Sequence, residues 1–455
     1  MVTTSAVQAA SAVFHRRPGD PYPVFVRGEG CHLWDERGKR YLDLSSGMAW
    51  AASLGQGRAD IAAVLARQAE RLTYIHNAWA STDRQEEYAA RLTALAPPGI
   101  TRAMFTSGGS ESNELALRIA RQYHLANGES GRWKVISLEH SYHGSTVGAL
   151  SMTGRIDVND MVTSDYAPYL IGFPKIPAPI RYRGPFSGLD PDEAARKAAQ
   201  TLAERIEEEG PETVAAFIVE PIMGNAAMTV PPDGYLTEIR RICDDQGVLL
   251  IVDEVMTGAG RTGSFLYVEQ LGVTPDLVIL AKSLSGAYAP LGAVLLHERV
   301  AESLVRAKRR LDHVHTFSGH PISCAVGLAV LDILEREGLL AAARDRGHFL
   351  RERLDGLRAG LACVGEVRGV GLANAVEYVG DRATREPYPE RSGVAQAIWE
   401  GMLERGFILP TQRYPGSDLI GDFSLFAPPF VITDEQIEEA VAALRDTIDG
   451  SVAGW

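Results

Sequence analysis

Six short runs of apolar and β-branched residues, at 102–106, 134–138, 215–219, 248–252, 277–281 and 293–296, recur along the first two thirds of the chain. Longer amphipathic stretches separate several of them, among them 112–127 and 191–210. Runs that are apolar throughout, rather than at every second residue, need cover on both faces, and helical stretches between them supply it. The alternation predicts an α/β chain whose mostly parallel sheet is covered by helices. At 455 residues the chain exceeds one ordinary domain of roughly 100–200 residues. After Pro321 the texture changes. Stretches 322–337 and 339–361 read as helices, and 364–429 mixes short strands with Gly and Pro. Thr433-Asp-Glu-Gln436 then forms a capping box ahead of Ile437, Val441, Leu444 and Ile448 on one helical face. The expected organisation is a large domain at 61–330, a smaller α+β domain at 331–455, and an N-terminal segment, 1–60, that packs with the smaller one.

In an open α/β sheet, ligands bind beyond the carboxyl ends of the strands. The run 215–219 ends in Glu220, 248–252 ends in Asp253-Glu254, and 277–281 ends in Lys282. Two carboxylates and an amine therefore leave one predicted sheet edge. Ser107-Gly-Gly-Ser110 joins the run 102–106 to the next helix, where glycines let backbone N–H groups approach an anion. Taken together, these groups suit a phosphorylated, carbonyl-bearing heterocycle, and pyridoxal 5'-phosphate (PLP) needs each of them. Gly109 and Ser110 suit its phosphate. Asp253 suits its pyridine nitrogen, which a buried carboxylate keeps protonated, and Lys282 suits its aldehyde as a Schiff base. Tyr142, in His140-Ser-Tyr-His-Gly144, is placed to cover the ring.

Other ligands fare worse. A net charge of −13 argues against nucleic acid or an anionic membrane as the main partner. His140 and His143 lack further ligands at metal-site spacing, so no metal is expected. Gly258-Ala-Gly-Arg-Thr-Gly263 matches GxGxxG, yet Asp253 to Thr257 separate it from the strand end, against a dinucleotide site. Four scattered cysteines without a CxxC pair predict cytosolic thiols. No apolar stretch approaches the roughly 20 residues that cross a bilayer, and the first twenty residues do not read as a signal peptide. A cytoplasmic protein is expected.

At these residues the sequence resembles the class III (omega) branch of PLP-dependent aminotransferases, of fold type I, over about 24–448. FTSGGSESNELALRIAR (105–121), SYHGST (141–146), FIVEPIMGN (217–225), DEVMTGAGRTG (253–263), ILAKSLSGAYAPLGA (279–293) and HTFSGHPISCAVGLAVL (315–331) carry it. The resemblance implies that Lys282 and Asp253 are catalytic and that Gly109, Ser110, Tyr142, Glu220, Val255 and Thr316 contact the cofactor. Val255 would pack on the ring face opposite Tyr142, and Glu220 would support the Asp253 side of the site. Thr316 would reach the phosphate of the neighbouring subunit of a homodimer. Trp50, Trp79 and Arg413 resemble substrate-pocket residues, Arg413 for a carboxylate. Met256, Gly258-Ala-Gly260, Gln56 and Ser283 depart from the pattern of many relatives. The implied reaction moves an amino group from an amine or ω-amino acid to an α-keto acid, pyruvate or 2-oxoglutarate, by a ping-pong mechanism. The alternative is a racemase, epimerase or decarboxylase that uses the same lysine.

Overall fold

The computed structural model describes residues 11–16, 22–154, 165–311, 315–413 and 419–451. Three short strands, β1 (Phe25–Glu29), β2 (His32–Asp35) and β3 (Arg40–Asp43), form an antiparallel meander. Seven more follow: β4 (Ile100–Thr106), β5 (Lys134–Leu138), β6 (Lys175–Ile176), β7 (Val214–Val219), β8 (Leu249–Asp253), β9 (Leu277–Leu280) and β10 (Gly292–His297). They assemble in the order β4-β10-β9-β8-β7-β5-β6. Neighbours from β9 through β6 are parallel, whereas β10 runs antiparallel to both β9 and β4. Parallel return needs a crossover of a dozen or more residues, usually a helix. The link 281–291 carries only the single 3-10 turn Lys282–Ser285, so β10 comes straight back.

The central strands are apolar throughout because both faces are covered. Ala216 and Ile218 of β7, with Leu249 and Ile251 of β8, share one core with Leu115 and Ile119 of the helix Gly109–Ala126. The alternate residues, Phe217, Val219, Leu250 and Val252, share the other core with Ala198 and Leu202 of the helix Pro191–Glu209 and Ile239 of the helix Tyr235–Gln246. Period-two side-chain direction thus feeds two separate cores from one strand.

The last third supplies β11 (Val364–Val370), β12 (Ala373–Tyr378), β13 (Phe407–Ile408), β14 (Thr411–Gln412) and β15 (Asp422–Phe426). Four of them make an antiparallel sheet in the order β11-β12-β15-β14, while β13 pairs in parallel with β3. That pairing ties the early meander to the C-terminal third. The capping box forms as expected: the Gln436 N–H donates to Thr433 Oγ1 at 3.3 Å, and the Thr433 N–H donates to Gln436 Oε1 at 3.0 Å. Ile437, Val441, Leu444 and Ile448 are all buried. The segment 258–263 makes turns rather than opening a helix. A side chain at Gly258 would stand 2.5 Å from Leu280 Cδ2, so this glycine serves close packing. Among the described residues, no helix is long and apolar enough to cross a membrane.

Candidate active site

β7, β8 and β9 are adjacent and parallel, so the residues after them emerge side by side. Glu220, Asp253 and Lys282 line one cavity of about 420 Å³ together with Ser107-Gly-Gly-Ser110, Tyr142 and Val255. That volume suits a small-molecule site, which typically spans about 300–1,000 Å³. His297 at the far end of β10 and the opposite edge of the sheet take no part.

Asp253 is 4% exposed and held from three directions. Its Oδ2 accepts hydrogen bonds from His143 Nδ1 at 2.8 Å and Asn113 Nδ2 at 3.0 Å, and its Oδ1 accepts from the Val255 N–H at 3.0 Å. With Nδ1 donating, His143 Nε2 has no partner among the described residues. His143 therefore serves the carboxylate through Nδ1. Neither His143 nor Asn113 was assigned a role from sequence. Asn113 lies one helical turn after Gly109, and His143 follows Tyr142 directly, so the only signal was proximity to residues already singled out.

Glu220, in the same cavity as Asp253, accepts two backbone N–H groups. Its Oε1 accepts from the Tyr142 N–H at 2.8 Å and its Oε2 from the Gly224 N–H at 3.3 Å, so it fastens two loops of the cavity wall. Burial, and then the nearby Asp253 charge, push its carboxyl up to about 8.

Lys282 begins the turn after β9 with φ of 49°, in the left-handed region. That conformation costs a non-glycine residue of order 1 kcal/mol. The lysine side chain reaches the cavity, and Nζ lies 4.5 Å from the centroid of the Trp50 ring. Burial pushes its amine down to about 8, an effect partly offset by the charges of Asp253 and Glu220.

Also in the cavity wall, the helix Gly109–Ala126 begins directly after Gly108, three residues earlier than its sequence suggests. The first-turn N–H groups of any helix have no intrahelical partner and carry the positive end of its dipole. A Cβ on Gly109 would stand 3.0 Å from Val255 Cγ1. Only glycine leaves that gap beside the helix end open.

Three expected site residues lie outside this chain's cavity, one of them, Thr316, being expected at the neighbouring subunit's site. Trp79 is 85% exposed and does not line the cavity. Thr316 is exposed and also outside it. Arg413 is paired within the chain, its Nη1 donating to Asp422 Oδ2 at 3.0 Å and to the Tyr388 carbonyl at 2.6 Å. The cause is register. β14 pairs Thr411 with Ser424 and Gln412 with Phe423, which brings Arg413 opposite Asp422 at the end of β15. The rest of its loop, 414–418, lies outside the described residues.

The cavity fits PLP. It offers an unpaired helix N-terminus beside a glycine cradle, a buried carboxylate steadied on its protein side by His143 and Asn113, and an amine held below the usual lysine range. These are the donors and acceptors that a phosphate, a ring N–H and an aldehyde require.

Known proteins agree. The profile of the family described as Aminotransferase class-III matches residues 14–448. A probable aminotransferase of Mycobacterium tuberculosis is 38% identical over 94% of this chain and 90% of its own length. The crystal structure of an (S)-enantioselective omega-transaminase from Thermomicrobium roseum superposes with a TM-score of 0.90 at 37% identity, covering 98% of this chain and 97% of that one. An amine transaminase from an uncultivated Pseudomonas species, solved in its PLP-bound form, gives 0.91 at 35% identity, covering 98% of this chain and 100% of that one. The fold is that of the fold type I transaminases, with a mixed central sheet between helices. The chain belongs to the class III aminotransferases, PLP-dependent enzymes that transfer amino groups to keto acids.

Proposed function

We propose that Lys282 holds PLP through its aldehyde carbon and moves the proton of the transamination, with Asp253 as partner of the ring nitrogen. The observation that carries this reading is the delivery of both side chains from neighbouring parallel strands into one cavity that also receives a helix N-terminus.

When bound, the cofactor supplies an aldehyde that takes up the donor's nitrogen and a protonated ring that draws electrons from the donor carbon. The chain's residues do the rest. The N–H groups at Gly109 and Ser110 bind the phosphate. Tyr142 and Val255 enclose the ring, and the bare Gly109 gives Val255 its room. Asp253, kept in place by His143 and Asn113, holds the ring's proton. Lys282 is the general base and acid. With its amine pushed down to about 8, a sizeable neutral fraction can take a proton from the donor carbon and return it two atoms away, across the donor's nitrogen. Trp50 covers this amine and limits water.

The donor is an amine or ω-amino acid, and the acceptor is pyruvate or 2-oxoglutarate. Trp50, Val255, Met256 and Leu291 in the cavity wall favour an apolar donor substituent. A homodimer, with Thr316 reaching the phosphate site of the partner subunit, accounts for an exposed Thr316 beside an exposed Phe317 whose ring meets Tyr74 at 6.2 Å. Trp79, exposed in one chain, would be covered in that dimer. The division at 60 and 330 follows the same reading. Free thiols at Cys31, Cys243, Cys324 and Cys363 support a cytoplasmic site of action.

A panel of amines and ω-amino acids assayed with and without keto acid tests the reaction. Carbonyl product equal to the enzyme present with donor alone, and continuous turnover only with pyruvate or 2-oxoglutarate, is the expected result. Inversion of a chiral donor, or release of carbon dioxide, with no keto acid present would overturn it in favour of a racemase or decarboxylase. Sedimentation at the mass of one chain in the presence of PLP would overturn the dimer.

A further inference from the structure

The turn at Ser46–Trp50 is held in a conformation that it would not adopt unaided. Ser46, Gly47, Met48 and Trp50 all have positive φ, at 48°, 78°, 61° and 61°. Three of the four are not glycine, and such conformations persist only where the surroundings over-determine them. Two buried groups do so here. Asp43 accepts from the Ser45 N–H at 2.9 Å and the Gly47 N–H at 2.6 Å. Arg261, a wholly buried guanidinium, donates through Nη2 to Ser46 Oγ at 3.0 Å and to the Trp50 carbonyl at 3.5 Å. Its Nη1 donates to the carbonyls of Pro428 at 2.5 Å and Leu372 at 3.3 Å, and its plane lies over the Phe430 ring at 4.8 Å. One side chain from the turn after β8 thus grips the early turn and two segments of the C-terminal third.

The object so held is the Trp50 ring. It lies over Lys282 Nζ at 4.5 Å, and Ser283 Oγ donates to its carbonyl at 3.4 Å. A Cβ on Gly224 would stand 2.9 Å from Trp50 Cζ3, so the ring has no slack on that side either.

We propose that Arg261 is the positioning residue that fixes the Trp50 ring over Lys282 and thereby sets how large a donor substituent the cavity admits. The inference rests on the reading of Lys282 as the reacting amine. A donor carbon that this amine must reach lies beside the ring, so the clearance under Trp50 is the clearance for the donor's substituent. Arg261 touches neither donor nor cofactor and acts through the Trp50 and Ser46 backbone turn.

The test is a double-variant cycle on the PLP-loaded enzyme: wild type, Arg261→Gln, Trp50→Ala and the two combined, with kcat/KM measured for isopropylamine and for 1-phenylpropylamine against pyruvate. Arg261→Gln is expected to shift the ratio toward the bulkier amine by about tenfold, because displacements near 1 Å change such rates by up to about a hundredfold. In the Trp50→Ala background it is expected to shift the ratio no further. An arginine that matters only for folding would lower both amines alike in both backgrounds, and that result overturns the proposal. If Arg261→Gln does not fold, Ser46→Ala, which deletes the oxygen that Arg261 grips together with its bond to the Ala427 carbonyl, enters the same cycle, with a smaller shift in the same direction expected. An unchanged ratio there overturns the proposal as well. Failure of the wild type to turn over either amine would instead contradict the reading of the site. Acrylamide quenching of the Trp50 fluorescence, taken as the difference from Trp50→Phe, then still decides: Arg261→Gln raises it if the ring is clasped and leaves it unchanged if not.

Discussion

His143 Nδ1 donates to Asp253 Oδ2 at 2.8 Å, at the buried end of a cavity whose other groups are a helix N-terminus and the Lys282 amine. The histidine is 2% exposed and the aspartate 4%, so water cannot take the place of either partner. His143→Ala leaves the carboxylate with Asn113 and one backbone N–H, free to turn. A hydrogen bond to a charged group is worth about 1.5–3 kcal/mol, so kcat/KM should fall about 10- to 100-fold. Asn113→Ala should cost less, because His143 remains. Steady-state kinetics check both, and an unchanged kcat/KM in His143→Ala would contradict this role.

The Lys282 amine predicts a pH dependence. Burial disfavours its charged form and sets its folded-state value near 8, below the ordinary 10.5, so the neutral amine grows in as pH rises through about 8. The rate of PLP uptake by the cofactor-free protein should climb across that range and level off above it, as followed by the absorbance of the bound cofactor. Glu220 favours the protonated amine electrostatically. Glu220→Gln should therefore move the midpoint down. A midpoint that rises, or stays, would contradict the assignment.

Arg413 predicts a stability effect in place of a substrate effect. Asp422 is 2% exposed, and burial already pushes its carboxyl up while Arg413 pulls it down. Removing one partner of a buried pair costs roughly 3 kcal/mol. Arg413→Ala should lower the urea midpoint accordingly and leave the KM for the keto acid in place. A raised keto-acid KM with unchanged stability would show instead that the guanidinium leaves Asp422 to meet the substrate.

Much of this was legible in the sequence because continuous apolar runs have one common explanation, burial on both faces, and β7, β8 and β9 meet it. The charges that end those runs, Glu220, Asp253 and Lys282, then had to share one edge. What was not legible depends on elements meeting late in the fold. His143 and Asn113 come to Asp253 only when the loop after β5 and the helix after β4 converge over β8. Arg413 reads as a loop charge until the β14–β15 register sets it opposite Asp422. Arg261 sits in a glycine-rich segment whose dinucleotide pattern the intervening Asp253–Thr257 argues against, and nothing in that pattern tells that its guanidinium is wholly buried among carbonyls of distant segments. Trp79 and Thr316 were expected from family resemblance, and neither lines the Lys282 cavity of a single chain.

The central claim is that one nitrogen, Lys282 Nζ, carries the cofactor. Borohydride reduction of the PLP-loaded protein, followed by proteolysis and mass spectrometry, fixes the cofactor to whichever lysine holds it. The modification should fall on the peptide containing Lys282 and vanish in Lys282→Ala. A modified peptide elsewhere in the wild type, or undiminished labelling and turnover in Lys282→Ala, would contradict the account.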